Sequence, residues 1–267
     1  MPEQSIYFAE RMKMTPIARR DAILRLVQAG QKLEVERLAA DLATSRETIR
    51  RDLAALDRLG LLRRVHGGAT VAPQAGEEGP FALRMRQHVT AKRALARHVA
   101  EGLVPGDSLF LDTGSTTLFL AEEIGKRKGL IVITNSSEIA ARCEKGEGNR
   151  VLLIGGEYRG AGRETLGPMA VAQIGQLRAA RTILTVAAVT LRGVYDVDPQ
   201  EAEVARAMIA QADDVTVLAD ASKMGRTGVF EVCPLAKVSR IVTDGMHDAL
   251  RLAAVAAGVR VEVVGRG

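Results

Sequence analysis

The sequence predicts two parts, a small mainly helical domain followed by a larger α/β domain with a mostly parallel sheet. Short amphipathic patterns fill residues 15–58, and a stretch rich in Pro, Gly and Glu covers residues 72–80. Beyond it, a helical pattern covers Phe81–Ala100, and apolar runs such as Thr182–Val189 then alternate with helical stretches, which is typical of parallel sheets flanked by helices. The predicted divisions are a flexible arm at 1–14, a first domain at 15–71, a linker at 72–80 and a second domain at 81–267.

Composition restricts the class of protein. A chain of 267 residues, 47% of them hydrophobic, can bury a sizeable core. The formal net charge of +5 permits a nucleic-acid partner without requiring one. Cys143 and Cys233 are too few for a disulfide framework, and we expect them to be buried thiols in a reducing compartment. The chain shows neither a basic-then-apolar leader nor an apolar run of about 20 residues, so we expect a cytoplasmic protein without membrane contact.

The histidines and aromatic residues argue against two further kinds of site. The four histidines are scattered and lack the spacing of metal ligands, so we expect no metal and no cofactor. Aromatic residues make up 3% of the chain, which leaves no evident stacking platform for single-stranded nucleic acid.

The first domain contains three predicted helices. Apolar residues at helical spacing predict helices over residues 15–28 and Glu34–Leu42. Thr44–Glu47 matches a capping box, which predicts the start of a third helix. One side of that helix is apolar, and the opposite side is polar and largely cationic. A short helix, a brief turn and a capped basic helix are typical of a helix-turn-helix motif, whose second helix enters the major groove of DNA.

A small wing follows the third helix. Leu61–Val71 contains two apolar runs joined by a His-Gly-Gly turn, which predicts a strand, a turn and a strand. Taken singly, each arginine of this region could be an ordinary solvated charge. However, Met1–Ala72 carries 13 Lys and Arg against 9 Asp and Glu, and its arginines cluster on two adjoining elements. This clustering favours binding to double-stranded DNA.

Two motifs identify a family resemblance. The runs TIRRDL at Thr48–Leu53 and RRVHGGA at Arg63–Ala69 resemble the DNA-binding region of the DeoR family of bacterial transcriptional regulators. The resemblance implies an N-terminal winged helix-turn-helix and, behind it, a sensor domain for a phosphorylated sugar or related metabolite. The implied contacts with operator DNA come from the recognition helix and the wing: Ser45, Arg46, Thr48, Arg50, Arg51, Arg63, Arg64 and His66.

Polar residues follow four predicted strands of the second domain. They are Asp112–Thr117, Thr134–Ser136, Gly155–Glu157 and Asp220–Lys223. In open α/β sheets, ligands bind beyond the carboxyl ends of the strands. The small side chains of Asp112–Thr117 precede a helical pattern, where an anion can approach free backbone N–H groups. Each set alone could be an ordinary turn, but together they favour a ligand site.

The resemblance extends through the second domain. DTGSTT, TNSSEIA, LLIGGEYR and ADASKMG are similar to sensor motifs of the same family, which implies a Rossmann-like, ribose-5-phosphate-isomerase-like fold. Val186–Leu191 departs from the family, which usually has glycine and an acidic residue there, so the width of the pocket stays open. The resemblance implies that the effector's phosphate is cradled by Asp112, Gly114, Ser115, Thr116 and Thr117, and that Asn135, Glu201, Asp220 and Lys223 approach its sugar or phosphate.

These observations predict a DNA-binding transcriptional regulator controlled by a phosphorylated metabolite. Repression relieved by the effector is the mode that the resemblance implies, and two half-sites favour a homo-oligomer. One alternative is a sugar-phosphate isomerase in which Glu201 or Asp220 acts as base and Lys223 stabilises an enediolate. Another is a nucleic-acid module with a purely structural dimerisation domain. The basic helix and wing favour the regulator, because an isomerase has no evident need for them.

Overall fold

The computed structural model describes residues 14–28, 33–58, 62–65, 67–71 and 81–265. The chain divides into two compact units, Met1–Gln74 and Ala75–Gly267. Three expectations fall outside the described residues: the linker at 72–80, all but the last residue of the arm at 1–14, and the wing residue His66.

In its described residues, the first unit has three helices and three short strands around one apolar core. The strands form an antiparallel sheet in the order β1-β3-β2, so the predicted wing is present as β2 and β3. The core includes Ile23, Leu38, Ile49, Leu53 and Leu56. The elements are α1 (Pro16–Gln28), β1 (Leu33–Glu34), α2 (Val35–Asp41), α3 (Arg46–Arg58), β2 (Leu62–Val65) and β3 (Gly68–Val71).

The start of α3 differs from the expected capping box by one residue. The Ser45 hydroxyl accepts a hydrogen bond from the Thr48 backbone N–H at 3.1 Å, so Ser45 and not Thr44 caps the helix. Glu47 therefore lies at the second helical position, where it cannot complete the box. Its carboxylate instead lies 3.7 Å from the Arg51 guanidinium.

A buried carboxylate joins α1 to α3. Asp52 is 2% exposed, and its two oxygens accept hydrogen bonds from Arg19 Nε at 2.5 Å and Arg20 Nε at 2.8 Å. A buried charge is tolerated only when it is paired and hydrogen-bonded. Asp52 therefore fixes the orientation of α3 against α1.

The second unit is an α/β domain built on a parallel sheet of seven strands. Its order is β15-β14-β12-β9-β4-β5-β6, so the predicted mostly parallel sheet is confirmed. The elements are α4 (Phe81–Arg84), α5 (Val89–Glu101), β4 (Ser108–Leu111), α6 (Ser115–Ile124), β5 (Ile131–Thr134), α7 (Ser137–Cys143), β6 (Arg150–Leu153), β7 (Glu157–Arg159), β8 (Glu164–Leu166), α8 (Pro168–Ile174), β9 (Ala179–Thr185), β10 (Ala188–Val189), β11 (Gly193–Asp196), α9 (Pro199–Ala210), β12 (Ala212–Leu218), β13 (Phe230–Pro234), β14 (Arg240–Thr243), α10 (Asp248–Ala256) and β15 (Arg260–Val263).

The chain order of the strands reverses between β4 and β9. From β4 the sheet continues to β5 and β6 on one side, whereas β9, β12, β14 and β15 lie on the other. Helices α5, α6 and α7 contribute to one apolar cluster of the core, and α8, α9 and α10 contribute to the other. This is the Rossmann arrangement with one added strand, and its ligand crevice opens at the carboxyl ends of β4 and β9.

Two expected elements are divided. The helix expected over Phe81–Ala100 is interrupted between α4 and α5, where His88 takes a left-handed conformation with a φ of 52° that a continuous helix cannot include. The strand expected over Thr182–Val189 ends at Thr185. The chain then leaves the large sheet, because the Ala187 N–H bonds to the Tyr195 carbonyl and β10 joins a second sheet with β11 and β13.

Candidate functional site

The outer face of α3 carries exposed arginines. The side chains of Arg46, Arg50 and Arg51 are 67%, 55% and 79% exposed. Each lies 3.7 to 3.8 Å from a carboxylate of Glu36 or Glu47, and such exposed pairs are weak enough to exchange for a phosphate oxygen. The face opposite the buried core is therefore cationic and accessible.

The other predicted DNA contacts are placed less completely. The hydroxyls of Ser45 and Thr48 lie 2.8 Å apart beside these arginines at the start of α3. Arg64 is exposed on β2, and its backbone N–H donates to Asp57 at 3.1 Å. Arg63 lies on the same strand, but its side chain, like the whole of His66, lies outside the described part of the chain.

A cavity lies at the carboxyl ends of β4, β9 and β12, where the strand order predicts a ligand. Residues from α4, the β4–α6 loop, the end of β9, β11, α9 and the segment after β12 line it. These residues are Arg84, Thr113, Ser115, Thr116, Thr185, Val186, Asp196, Glu201, Leu218, Ala219, Asp220 and Lys223.

The start of α6 forms the floor of this cavity. Gly114 precedes the helix and has no side chain with which to cap it. A side chain there would overlap the Thr185 hydroxyl, so the close approach of the loop to β9 requires glycine. The backbone N–H groups of the first helical turn have no partners within the helix. Together with the adjacent Ser115 and Thr116, they form a cradle suited to an anion.

A buried lysine lies behind the cradle. Lys92 is 3% exposed, and its Nζ donates to Ser115 Oγ at 2.8 Å and to the Arg84 carbonyl oxygen at 2.6 Å. Burial lowers the pKa of Lys92 to about 8, while the Asp220 carboxylate opposes that shift. The sequence analysis did not identify this residue. Its position along the helix could have indicated burial, because Lys92 lies three residues before Leu95 and seven before Val99, on the same buried face of α5.

Asp220 contributes an unsatisfied carboxylate oxygen. Asp220 is 2% exposed, and its Oδ1 accepts a hydrogen bond from the Ser222 backbone N–H at 2.9 Å. Within the described residues, Oδ2 has no hydrogen-bond partner. A buried polar atom without a partner is energetically costly, so this oxygen is suited to accept a hydrogen bond from a bound molecule.

Acidic residues lie in and beside the cavity, because Asp196 and Glu201 line it and Glu164 is adjacent to Glu201. Burial is the main cause that raises the pKa of Glu164 to about 8, that of Asp196 to about 7 and that of Glu201 above its ordinary value. Glu164 and Glu201 also share a hydrogen bond, and the Arg159 guanidinium lies 3.6 Å from Glu201. Carboxyl groups that keep a proton near neutral pH can both donate to and accept from hydroxyl groups.

The predicted effector residues divide into two groups. Ser115, Thr116, Glu201, Asp220 and Lys223 line the cavity. The others lie at its edge and hold the loops. The two oxygens of the Asp112 carboxylate accept a hydrogen bond from the Thr185 N–H at 3.0 and 3.1 Å, and burial raises the pKa of Asp112 well above the ordinary range. Thr117 Oγ1 donates a hydrogen bond to the Gly114 carbonyl. The Asn135 amide accepts a hydrogen bond from Thr113 Oγ1 and donates one to the Thr165 carbonyl, each at 3.1 Å.

The structure also tests other classes of site. Among the described residues, no cluster of histidine, cysteine or acidic side chains is arranged to hold a metal ion. None of the helices in that part of the chain has the length and apolarity to cross a bilayer. Cys143 and Cys233 are both buried free thiols, as expected.

Comparisons with known proteins agree with this architecture. Residues 19–75 match the DeoR-like helix-turn-helix domain, and residues 87–245 match the DeoR C terminal sensor domain. The chain is 36% identical over 228 residues to the transcriptional repressor AccR of Agrobacterium fabrum, covering 85% of this chain and 88% of that protein. It is 30% identical over 234 residues to the glycerol-3-phosphate regulon repressor of Escherichia coli, covering 87% and 92%.

A solved structure with a similar fold is ribose 5 phosphate isomerase A from Neisseria gonorrhoeae. The match covers 51% of this chain and 53% of that one, with a TM-score of 0.35 and 19% sequence identity. AccR and the glycerol-3-phosphate regulon repressor, the two relatives identified from their sequences, are repressors and not enzymes. Relatives of this kind decide against the isomerase alternative.

Proposed function

Because this chain belongs to the DeoR family of DNA-binding transcriptional regulators, with a C-terminal sensor domain, we propose that it is a repressor whose operator affinity is controlled by a phosphorylated sugar or related metabolite. Residues 15–71 bind the operator, and residues 81–267 bind the effector in the cavity at the ends of β4, β9 and β12. The metabolite lowers operator affinity, and DNA binding lowers metabolite affinity by the same factor.

One observation carries the effector proposal: the cavity combines an anion cradle with an unsatisfied hydrogen-bond acceptor. Lys92 and the start of α6 supply positive charge and N–H donors on one side. Asp220 Oδ2, which belongs to another residue lining the cavity, lacks a donor within the described residues. A phosphate satisfies the first group and a hydroxyl satisfies the second, so a molecule carrying both fits best.

The roles of the individual residues follow from this division. The phosphate binds the backbone N–H groups and hydroxyls of Ser115 and Thr116, with Lys223 as a further cation lining the cavity. Glu201 and Asp220 bind hydroxyl groups of the same molecule. Asp112, Gly114, Thr117 and Asn135 act indirectly, because their contacts fix the loops that form the cradle.

A ligand screen tests the effector proposal. The similarity to a glycerol-3-phosphate regulon repressor makes glycerol 3-phosphate the first compound, followed by pentose and hexose phosphates, free glycerol and inorganic phosphate. A compound that binds the native state raises the melting temperature as its concentration rises. We expect a shift with at least one phosphorylated polyol and a smaller one with its unphosphorylated form. Equal shifts for the two forms would remove the phosphate from the proposal.

The same screen examines Lys223. We expect Lys223→Ala to weaken binding of the phosphorylated compound, because the lost cation lines the cavity. The matched control is Lys237→Ala, which removes an exposed lysine that does not line it. An unchanged response in the Lys223 variant would exclude that residue from the site.

DNA binding requires the basic face of α3 and, as we propose, a homo-oligomer that contacts two half-sites. The operator can be selected from random duplexes with the full chain. Arg51→Ala is then expected to weaken operator binding by about 1–3 kcal/mol and to leave metabolite binding intact. Arg25→Ala, on the exposed side of α1, is the matched control. Equal operator affinity of the Arg51 variant and the wild type at moderate salt would contradict the assignment, and sedimentation with the selected duplex gives the stoichiometry.

A further inference from the structure

We propose that Arg84 contacts the effector and that α4, the short helix carrying it, transmits effector binding toward the DNA-binding unit. This inference rests on the proposed function of the cavity. Neither Arg84 nor α4 was a predicted part of the site, since the sequence analysis placed both within one long helix.

The side chain of Arg84 belongs to the cavity. It lines the space together with Asp196 and Glu201, and its positive charge acts on both carboxyl groups and on Glu164. A guanidinium in this position can bind phosphate or hydroxyl oxygens of a ligand. A ligand that enters the cavity therefore changes the electrostatic environment of Arg84 directly.

The Lys92 side chain connects the backbone of α4 to the anion cradle. Lys92 Nζ donates to the Arg84 carbonyl oxygen at 2.6 Å and to Ser115 Oγ at 2.8 Å. Ser115 is the first residue of α6, where the phosphate is proposed to bind. An anion at the cradle attracts the same ammonium group, because charge-assisted hydrogen bonds are stronger than neutral ones. Occupancy of the cradle thus alters the bond that holds the end of α4.

The packing of α4 allows such a change to move it. None of its four residues is buried, and residues 85–88 separate it from α5. Phe81 and Met85 pack against the core but remain partly exposed. In the sequence, α4 is the first described element after residues 72–80, which lead back to the DNA-binding unit. A displacement of α4 therefore displaces the point at which the sensor unit is attached to that segment.

A purely structural role for Arg84 would also be consistent with its acidic neighbours. In that case Arg84→Met would lower the melting temperature without changing how α4 responds to a ligand. Hydrogen exchange separates the two roles, because peptides covering residues 112–124 and 81–88 report on the cradle and on α4 independently.

The experiment compares the full-length wild type with Arg84→Met, each with inorganic phosphate or glycerol 3-phosphate at about ten times its own Kd. In the wild type, we expect the probe to slow hydrogen exchange in both peptides. The slowing should be about tenfold for amides whose exchange requires a local opening that releases the bound probe. In Arg84→Met we expect the cradle peptide to slow and the α4 peptide to change by less than about twofold. Arg86→Met, an exposed arginine two residues away, is the matched control and is expected to behave as the wild type.

The possible outcomes separate this inference from the proposed function. Slower exchange at residues 112–124 without any change at 81–88 in the wild type overturns the role of α4 and leaves phosphate binding intact. A full α4 response in Arg84→Met assigns that residue a structural role and overturns its part in the transmission. No response of either peptide to either probe overturns phosphate binding at the cavity, and this inference with it. The wild-type comparison decides the role of α4 even if the variant does not fold.

Discussion

The buried ammonium of Lys92 is expected to destabilise the sensor unit at neutral pH. Its pKa falls from 10.5 to about 8 on folding, which means that the folded state disfavours the charged form. At 1.36 kcal/mol per pKa unit, that difference corresponds to about 3 kcal/mol at a pH below 8. Lys92→Met keeps a linear apolar stem in the buried position and removes this penalty.

Part of the gain is offset by lost hydrogen bonds. Ser115 Oγ and the Arg84 carbonyl oxygen each lose the donor that Lys92 Nζ provides at 2.8 and 2.6 Å. Leaving such groups without a partner costs about 1–3 kcal/mol in total when a flexible hydroxyl can turn elsewhere. We therefore expect Lys92→Met to be more stable than the wild type by about 1 kcal/mol at pH 7, and to bind phosphate at least about tenfold more weakly.

The pH dependence gives the sharper test. Since the folded-state pKa is lowered, the unfolded chain binds more protons between pH 8 and 10.5, and Lys92 makes the wild type more stable as pH rises through that window. The advantage of Lys92→Met should shrink above pH 8, by about 1.4 kcal/mol per pH unit, and reverse near pH 9. Urea denaturation of both proteins at pH 7, 8, 9 and 10, followed by circular dichroism, measures the difference between their free energies of unfolding. Groups that titrate in both proteins contribute almost equally to the two values, so their effects largely cancel. Lys128→Met removes an exposed lysine as a control. A difference in unfolding free energy that stays constant over this range would refute the reasoning.

Three further changes test the contacts described above. Asp52→Asn should destabilise the first unit by about 3–5 kcal/mol in a denaturation experiment, because two arginines lose a buried partner. Asp41 is exposed, so Asp41→Asn should have little effect in the same experiment. Glu164 keeps its proton in the folded state up to a pH of about 8, so the folded protein loses stability as pH rises from 4.5 to 8. Glu164→Gln should remove this loss, and the stability of the variant relative to the wild type should therefore be higher at pH 8 than at pH 5. Gly114→Ala adds a methyl group that overlaps the Thr185 hydroxyl, and calorimetry should show phosphate binding weakened by about tenfold or more. Gly102→Ala is the control, because its methyl group meets only a carbonyl oxygen at 3.6 Å and should leave phosphate binding unchanged.

Some parts of the site could be predicted because they follow from chain order and strand direction. Parallel strands bring all their carboxyl ends to one edge of the sheet, so polar residues after β4 and β12 had to lie near each other. Ser115, Thr116, Asp220 and Lys223 were identified in this way and do line one cavity. The basic outer face of α3 was predicted for a similar reason, since helical spacing fixes which side chains oppose the core.

Other parts depended on tertiary contacts that have no local signal. Whether the pattern from Phe81 to Ala100 forms one helix or two depends on the turn at His88, and only the division brings Arg84 to the cavity. Asp196 is the last residue of β11 in the second, antiparallel sheet, which the sequence analysis did not predict as a separate layer. Asn135 was expected to approach the ligand, but its amide is engaged by Thr113 and Thr165. A polar residue at a strand end can thus serve the loop as readily as the ligand.

The charge distribution in the cavity restricts the ligands that can satisfy it. An unphosphorylated sugar would leave Lys92 and the start of α6 without an anion, whereas inorganic phosphate would leave Asp220 Oδ2 without a donor. A second phosphate would meet Asp196 and Glu201, which line the cavity and whose pKa values are raised by burial, so further negative charge is disfavoured there. Val186, the first residue of the stretch that departs from the family, also lines the cavity. These constraints together favour a molecule that carries one phosphate and hydroxyl groups, and we propose that selectivity arises because each simpler fragment leaves one buried group unsatisfied.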